Sequence, residues 1–280
     1  MQVNLPFLKR RKPAPPARER LAPSIPEGER VYAIGDVHGC AKELATLLEM
    51  IAEDHEARGP AKLTVILLGD LVNRGPDSAG AIRLARELLS SGAGRLIKGN
   101  HEEIFVSAAR GHRQAVRTLL RNGGRATLLS FGLSEEDIDR GSFGDLAGIL
   151  KRDIAREDLA LLDAGEDKIA IGDYLFVHAG IRPGVAIAEQ EGSDLRWIRE
   201  EFVESLQDHG AFIIHGHTIT ENAEQRENRI GIDTGAYRTG VLTAIGLEGE
   251  KQWFLATSPG SPKNTSDTES TCSVDSLGAV

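Results

Sequence analysis

Residues 63–70 read Leu-Thr-Val-Ile-Leu-Leu-Gly-Asp, and residues 31–39 read Val-Tyr-Ala-Ile-Gly-Asp-Val-His-Gly. Each is a short apolar run that stops at a glycine followed at once by an acidic side chain. The run over 63–68 is nearly continuous, as expected of a strand covered on both faces. Between the two stretches Leu44, Leu47, Leu48 and Ile51 recur at helical spacing and give a helix one apolar face. Ile82, Leu84, Ala85, Leu88 and Leu89 predict a second helix, and residues 95–98 a third strand. This β-α-β-α-β pattern is that of a parallel sheet with crossover helices. Residues 101–165 read as mostly helical, with breaks at Gly123-Gly124 and between Gly132 and Gly148, and predict a small cap. Six short strands follow, over 168–171, 174–178, 212–215, 229–233, 241–247 and 253–255, and imply a second sheet.

A chain of 280 residues, 40% hydrophobic and 27% charged, is long enough for one large α/β domain with an ordinary core. The net charge of −9 opposes a nucleic-acid backbone as main partner, because such binding relies on a basic surface that displaces counterions. No apolar run approaches a membrane span. Cys40 and Cys272 are far apart and lack metal-ligand spacing, so both thiols read as incidental, and a reducing, cytoplasmic compartment fits. Residues 1–30, with Lys9-Arg-Arg-Lys12 and several prolines, read as a disordered basic tail. Residues 257–280, rich in Ser and Thr, read as a second one. That leaves 31–256 as the folded domain.

The polar residues of interest stand just past the ends of the apolar strands, where open α/β sheets place their ligands. Asp36 and His38 are two apart, so an extended segment turns both to one side. Asp70 follows the second strand, Asn100 and His101 the third, and His178 and His217 two later ones. Singly, such an Asp is more often a helix cap and such a His a satisfied structural residue. Six ligand-type side chains at successive strand ends, each beside a glycine, exceed what capping explains. Mixed carboxylate, imidazole and amide donors suit Mn²⁺, Fe, Zn²⁺ or Ni²⁺ better than oxygen-seeking Ca²⁺ or Mg²⁺. Six are too many for one open site but suit two cations sharing one carboxylate, for which Asp70 is the natural bridge. Two divalent cations outweigh the charges of Asp36 and Asp70 and leave a positive site for a phosphate.

The motifs GDVHG, GDLVNRG, GNHE, HAG and HGHT, in this order, resemble those of the calcineurin-like metallophosphoesterases, and within them the PPP-type serine/threonine protein phosphatase branch. The resemblance implies a four-layer αββα sandwich of two mixed sheets with outer helices and a small helical cap. It implies that Asp36, His38 and Asp70 hold one metal, that Asp70, Asn100, His178 and His217 hold the other, and that His215 holds none. Manganese is the expected metal. Leu195-Arg-Trp-Ile-Arg-Glu200, Asn122-Gly-Gly124 and Ile232-Asp-Thr-Gly-Ala236 are similar to segments of the phage lambda type phosphatases. By that likeness Arg74 and Arg199 grip the phosphate oxygens, as a permanently charged fork does well. Trp197 and Ile198 read as core contacts.

His101 then resembles the general acid that protonates the departing oxygen, while hydroxide held by the metals attacks phosphorus directly. The sequence departs from the protein phosphatases at Asn73, which replaces the aspartate of GDxVDRG that orients this histidine. An amide oxygen accepts an imidazole N–H but does not stabilise imidazolium by charge. The expectation is a preference for esters with good leaving groups. Phosphoprotein hydrolysis at Ser, Thr or Tyr ranks first, with a small phosphorylated substrate also in view. Symmetrical dinucleoside tetraphosphate hydrolysis ranks second, because those enzymes share GDLV-x-RGP. A non-catalytic metal-binding scaffold ranks third, since neither a ligand nor the acid is missing.

Overall fold

In the computed structural model, which describes residues 22–259, the chain forms two five-stranded mixed sheets packed face to face. The first third contains β1 (Glu29–Ile34), α1 (Ala41–Ala57), β2 (Lys62–Leu67), α2 (Ser78–Ser90) and β3 (Gly94–Leu96). The three strands are parallel and in sequence order. Six helices follow: α3 (Asn100–Ala109), α4 (Arg113–Arg121), α5 (Gly124–Ser130), α6 (Glu135–Arg140), α7 (Phe143–Asp153) and α8 (Arg156–Asp163). The second half supplies β4 (Lys168–Ile171), β5 (Tyr174–Val177), α9 (Gly192–Trp197), α10 (Glu200–Val203), β6 (Phe212–His215), β7 (Glu224–Gln225), β8 (Arg229–Gly231), α11 (Ala236–Thr239), β9 (Thr243–Glu248) and β10 (Lys251–Ala256).

Alternation along β1 and β2 sets the layers. Val31, Ala33, Ile66 and Leu68 pack with Phe176, Ile214 and Ile230 of the other sheet. Tyr32, Ile34, Val65 and Leu67 face the opposite way, against Leu44, Leu47 and Ile51 of α1. Both faces of the sheet are therefore dry, which is why residues 63–68 lack a clean polar period. Each fully buried Ile or Leu contributes about 1.5–3 kcal/mol. On the far side Leu175, Val177 and Ile213 pack under Leu195 and Phe202 of α9 and α10, completing the four layers.

Three expectations change. The strands read at 241–247 and 253–255 do not join the second sheet. They return to the first, β9 antiparallel to β1 and β10 to β9, giving the orders β10-β9-β1-β2-β3 and β4-β5-β6-β8-β7. Alternation reports burial but not which sheet receives a strand. The stretch between Gly132 and Gly148 is not a plain break. It holds α6 and the start of α7, each opened by a capping box, Ser134 with Asp137 and Ser142 with Asp145. The N-terminal boundary also shifts toward the start of the chain, since Ile25 is buried and Arg30 donates to Glu248 and to the carbonyls of His55 and Gly59. Residues 22–30 thus belong to the fold, as does buried Thr257. The remainder of both tails, with Lys9-Arg-Arg-Lys12 and Cys272, lies outside the described residues.

Candidate metal centre

The strand ends converge. Asp36 and His38 follow β1, Asp70 follows β2, Asn100 opens α3 just after β3, His178 follows β5 and His217 follows β6. All six are buried. Five non-glycine residues among those described have a left-handed backbone: His38, Asp70, Asn73, Arg74 and His217. L-residues pay of order 1–3 kcal/mol for such strain and hold it only where surrounding contacts over-determine it. All five belong to the group of site residues read from the sequence. The flanking glycines leave room for the carboxylates. A Cβ on Gly99 would stand 2.2 Å from Asp70 Oδ1, and one on Gly216 would stand 2.1 Å from Asp36 Oδ1.

Hydrogen bonds aim the rings. His38 Nδ1 donates to the Val72 carbonyl at 2.9 Å, and His178 Nδ1 donates to that of Leu68 at 2.8 Å. Each Nε2 is thereby left as a lone pair. That of His38 lies 3.6 Å from Asp70 Oδ2 and 3.9 Å from Asp36 Oδ2. That of His178 lies 3.4 Å from Asp70 Oδ1, 3.0 Å from Asn100 Oδ1 and 3.2 Å from His217 Nδ1. A convergence of lone pairs is what a cation stabilises and a dry core does not. His38 Nε2 is buried with no hydrogen-bond partner. Two groups of donors result, His38, Asp70 and His101 on one side, and Asp70, His178 and His217 on the other, with Asp70 common to both. These are the positions where two cations could sit. Burial and the neighbouring carboxylates push the Asp36 carboxyl well up, and burial pushes that of Asp70 up to about 7.

His101 stands in the first group, yet its ring is engaged otherwise. Arg74 Nη2 lies 3.2 Å from Nε2, and the Asn73 amide nitrogen 2.8 Å from Nδ1, while Asn73 Oδ1 accepts from Thr127 Oγ1 at 2.9 Å. Both ring nitrogens thus face donors, but a neutral imidazole carries one hydrogen. Arginine only donates, so Nδ1 holds the proton. The network closes when the amide turns by 180°, with oxygen toward His101 and nitrogen toward Thr127, a change that leaves its shape unaltered. Burial, with Arg74 beside it, pushes the His101 ring down to about 3.

A family model described as calcineurin-like phosphoesterase matches residues 29–237. The chain belongs to that family. A symmetrical bis(5'-nucleosyl)-tetraphosphatase of Methylobacillus flagellatus is 29% identical over 264 residues, covering 79% of this phosphoesterase and 92% of the relative. One of Nitrosospira multiformis is 27% identical over 198 residues, 67% of this chain and 60% of the relative. With this and similar relatives the match spans less than two thirds of their length. A crystal structure provisionally described as that of a diadenosine tetraphosphatase superposes with a TM-score of 0.56 at 21% identity, over 83% of this chain and 96% of that one. That likeness shows the same sandwich.

Two residues of the candidate site carry no role in the sequence reading. Glu102 is fully buried, and its carboxylate accepts from the backbone N–H groups of Asp70, Leu71 and Gly99 at 2.7, 2.8 and 2.9 Å. It pins the turn that holds Asp70 in its left-handed state. The signal was present in Gly99-Asn-His-Glu102, where an acid three residues into a helix ordinarily serves the cap. Asp233, one residue beyond Ile232 after β8, is buried beside Asp36 with Oδ2 lacking a partner. Its motif matched, but nothing local marked the side chain as inward.

Arg199 lies on the exposed side of the segment joining α9 and α10, and its charge acts on Asp70, His101, His178 and His217. Ile198 is a core contact as expected. Trp197 is not: the residue is 43% exposed, and Nε1 donates to Glu103 Oε2 at 3.2 Å.

His215 stands apart from both donor groups, with Nδ1 on the Gly216 carbonyl and Nε2 accepting from Arg229. Burial pushes its ring down to about 4. The unfolded ring titrates near 6.5, so the unfolded chain binds more protons between those values. The stability His215 contributes is therefore intact above about pH 6.5 and is lost as pH falls toward 4, by roughly 3 kcal/mol at most. Urea unfolding of metal-free protein should show a shallower loss between pH 7 and 5 for His215→Gln than for the parent. Equal slopes would contradict this reading.

Proposed function

We propose that this phosphoesterase is a dimetal-dependent hydrolase of phosphoanhydrides that splits symmetrical dinucleoside tetraphosphates, with diadenosine tetraphosphate as the type, into two nucleoside diphosphates. Asp36, His38 and Asp70 would hold one cation, and Asp70, Asn100, His178 and His217 the other, with manganese suiting the mixed donors. Bound there, the cations supply Lewis-acid polarisation and lower the pKa of water. Glu102 fixes Asp70. Arg74 and Arg199 bind the phosphoryl oxygens, and their charge opposes that developing in the transition state. His101 faces the departing oxygen through Nε2.

The observation that carries the choice of substrate is the amide beside His101 Nδ1. An amide and not a carboxylate backs Nδ1, and burial beside Arg74 disfavours imidazolium. A ring that keeps its one hydrogen on Nδ1 lends little proton to a leaving group through Nε2, and so suits one that needs little protonation. A nucleoside diphosphate departs as an anion stable near neutral pH, whereas a serine or threonine alkoxide must be protonated as it leaves. The relatives named nucleotide tetraphosphatases point the same way, so phosphoprotein hydrolysis, ranked first from the sequence, moves to second.

Manganese-loaded protein assayed on diadenosine tetraphosphate and on phosphoserine and phosphotyrosine peptides tests this. The expected result is ADP as sole product, with kcat/KM above that on peptides by an order of magnitude or more. Faster turnover of a peptide, or release of AMP with ATP, would contradict it.

A further inference from the structure

A phosphate site alone does not distinguish a dinucleotide from inorganic polyphosphate. Next to Arg199 lies a cleft of about 450 Å³, lined by Arg182, Asp194, Trp197, Ile198 and Arg199. Ile198 is buried and extended, with φ −61° and ψ 145°, so the residues on either side, Trp197 and Arg199, both turn outward. The indole is held in place: Glu103 Oε2 accepts from Trp197 Nε1 at 3.2 Å and from Arg196 Nε at 2.9 Å. Glu103 belongs to the first turn of α3, the turn that carries Asn100 and His101. An exposed aromatic ring thus shares a cleft with Arg199 and is tied to the helical turn that opens with Asn100 and His101.

Resting on the dinucleotide reading above, we propose that Trp197 is a stacking platform for one purine base of the substrate, with Arg199 holding the adjoining phosphate. The size of the cleft fits a nucleoside, and every base offers a π-face to an indole. Carboxylates lining the cleft, Glu200 and Glu201, are acceptors suited to ribose hydroxyls.

The chain has two tryptophans, and the other, Trp253, is tied to Asp54 away from the cleft. Titrating manganese-loaded protein with ADP should quench tryptophan fluorescence, while pyrophosphate should not, and Trp197→Phe should remove the quench. Trp197→Ala should raise KM for diadenosine tetraphosphate roughly 5- to 100-fold, the range that loss of one stacked base gives. KM for tripolyphosphate, which has no base, should rise far less, and Trp197→Phe should recover much of the nucleotide effect. Hydrolysis of diadenosine tetraphosphate with equal KM in parent and Trp197→Ala would overturn the platform while sparing the substrate reading. An ADP-specific quench without such hydrolysis would keep the platform and overturn the substrate reading.

Discussion

Asp70→Asn should lose metal binding and turnover together. The carboxylate is the one donor common to both groups, with Oδ1 3.4 Å from His178 Nε2 and Oδ2 3.6 Å from His38 Nε2. An amide there removes one negative charge from a buried site and presents one acceptor atom instead of two. Activity should fall by at least about 10³-fold, more than the 10²–10³ that loss of a single electrostatic contact causes. The amide is isosteric and Glu102 still anchors the backbone, so circular dichroism should be unchanged. Measurement of kcat beside elemental analysis checks this, and an active or fully metallated variant would remove Asp70 from the bridging position.

The second large effect is on leaving-group selectivity. Asn73→Asp restores a carboxylate beside His101 Nδ1, and aspartate tolerates the left-handed backbone at this position, φ 72°. Thr127 Oγ1, which stands 2.9 Å from the other end of the Asn73 amide, can turn its hydroxyl to donate to the second carboxylate oxygen. An imidazolium so supported protonates poor leaving groups better, and general acids contribute 10²–10⁴-fold where the chemistry needs them. Hydrolysis of an alkyl phosphate should therefore rise on the order of 10- to 100-fold, while that of diadenosine tetraphosphate changes little. His101→Ala in the Asn73→Asp background should erase the gain. If the ratio of the two substrates does not move, the leaving-group argument for the nucleotide reading is lost.

The parts of this molecule legible in its sequence are those where one local rule decides. Residues 31–34 and 63–68 showed their double burial by lacking a polar period, and the glycine that closes each run admits neighbouring backbone, that of Ile232 at Gly35 and that of Gly99 at Gly69. The six candidate ligands all stand at one end of the two sheets because parallel strands point their C-termini together. What stayed illegible depends on partners distant in sequence. Which sheet takes the strand at 241–247 is decided by pairing with β1, some 210 residues away. Glu102 reads as an ordinary cap until the turn at Asp70 is folded against it. Trp197 reads as core by its apolarity, and only the burial of Ile198 beside it shows that the indole faces out. The substrate ranking turned on Asn73, whose weight is clear once the ring it supports is seen wedged against Arg74.

Metal stoichiometry is the most direct test of the centre. Apoprotein titrated with manganese, with bound metal and hydrolytic rate followed in the same samples, should saturate at two ions per chain and reach full rate only as the second site fills. Full activity at one ion per chain, or with none, would contradict the account.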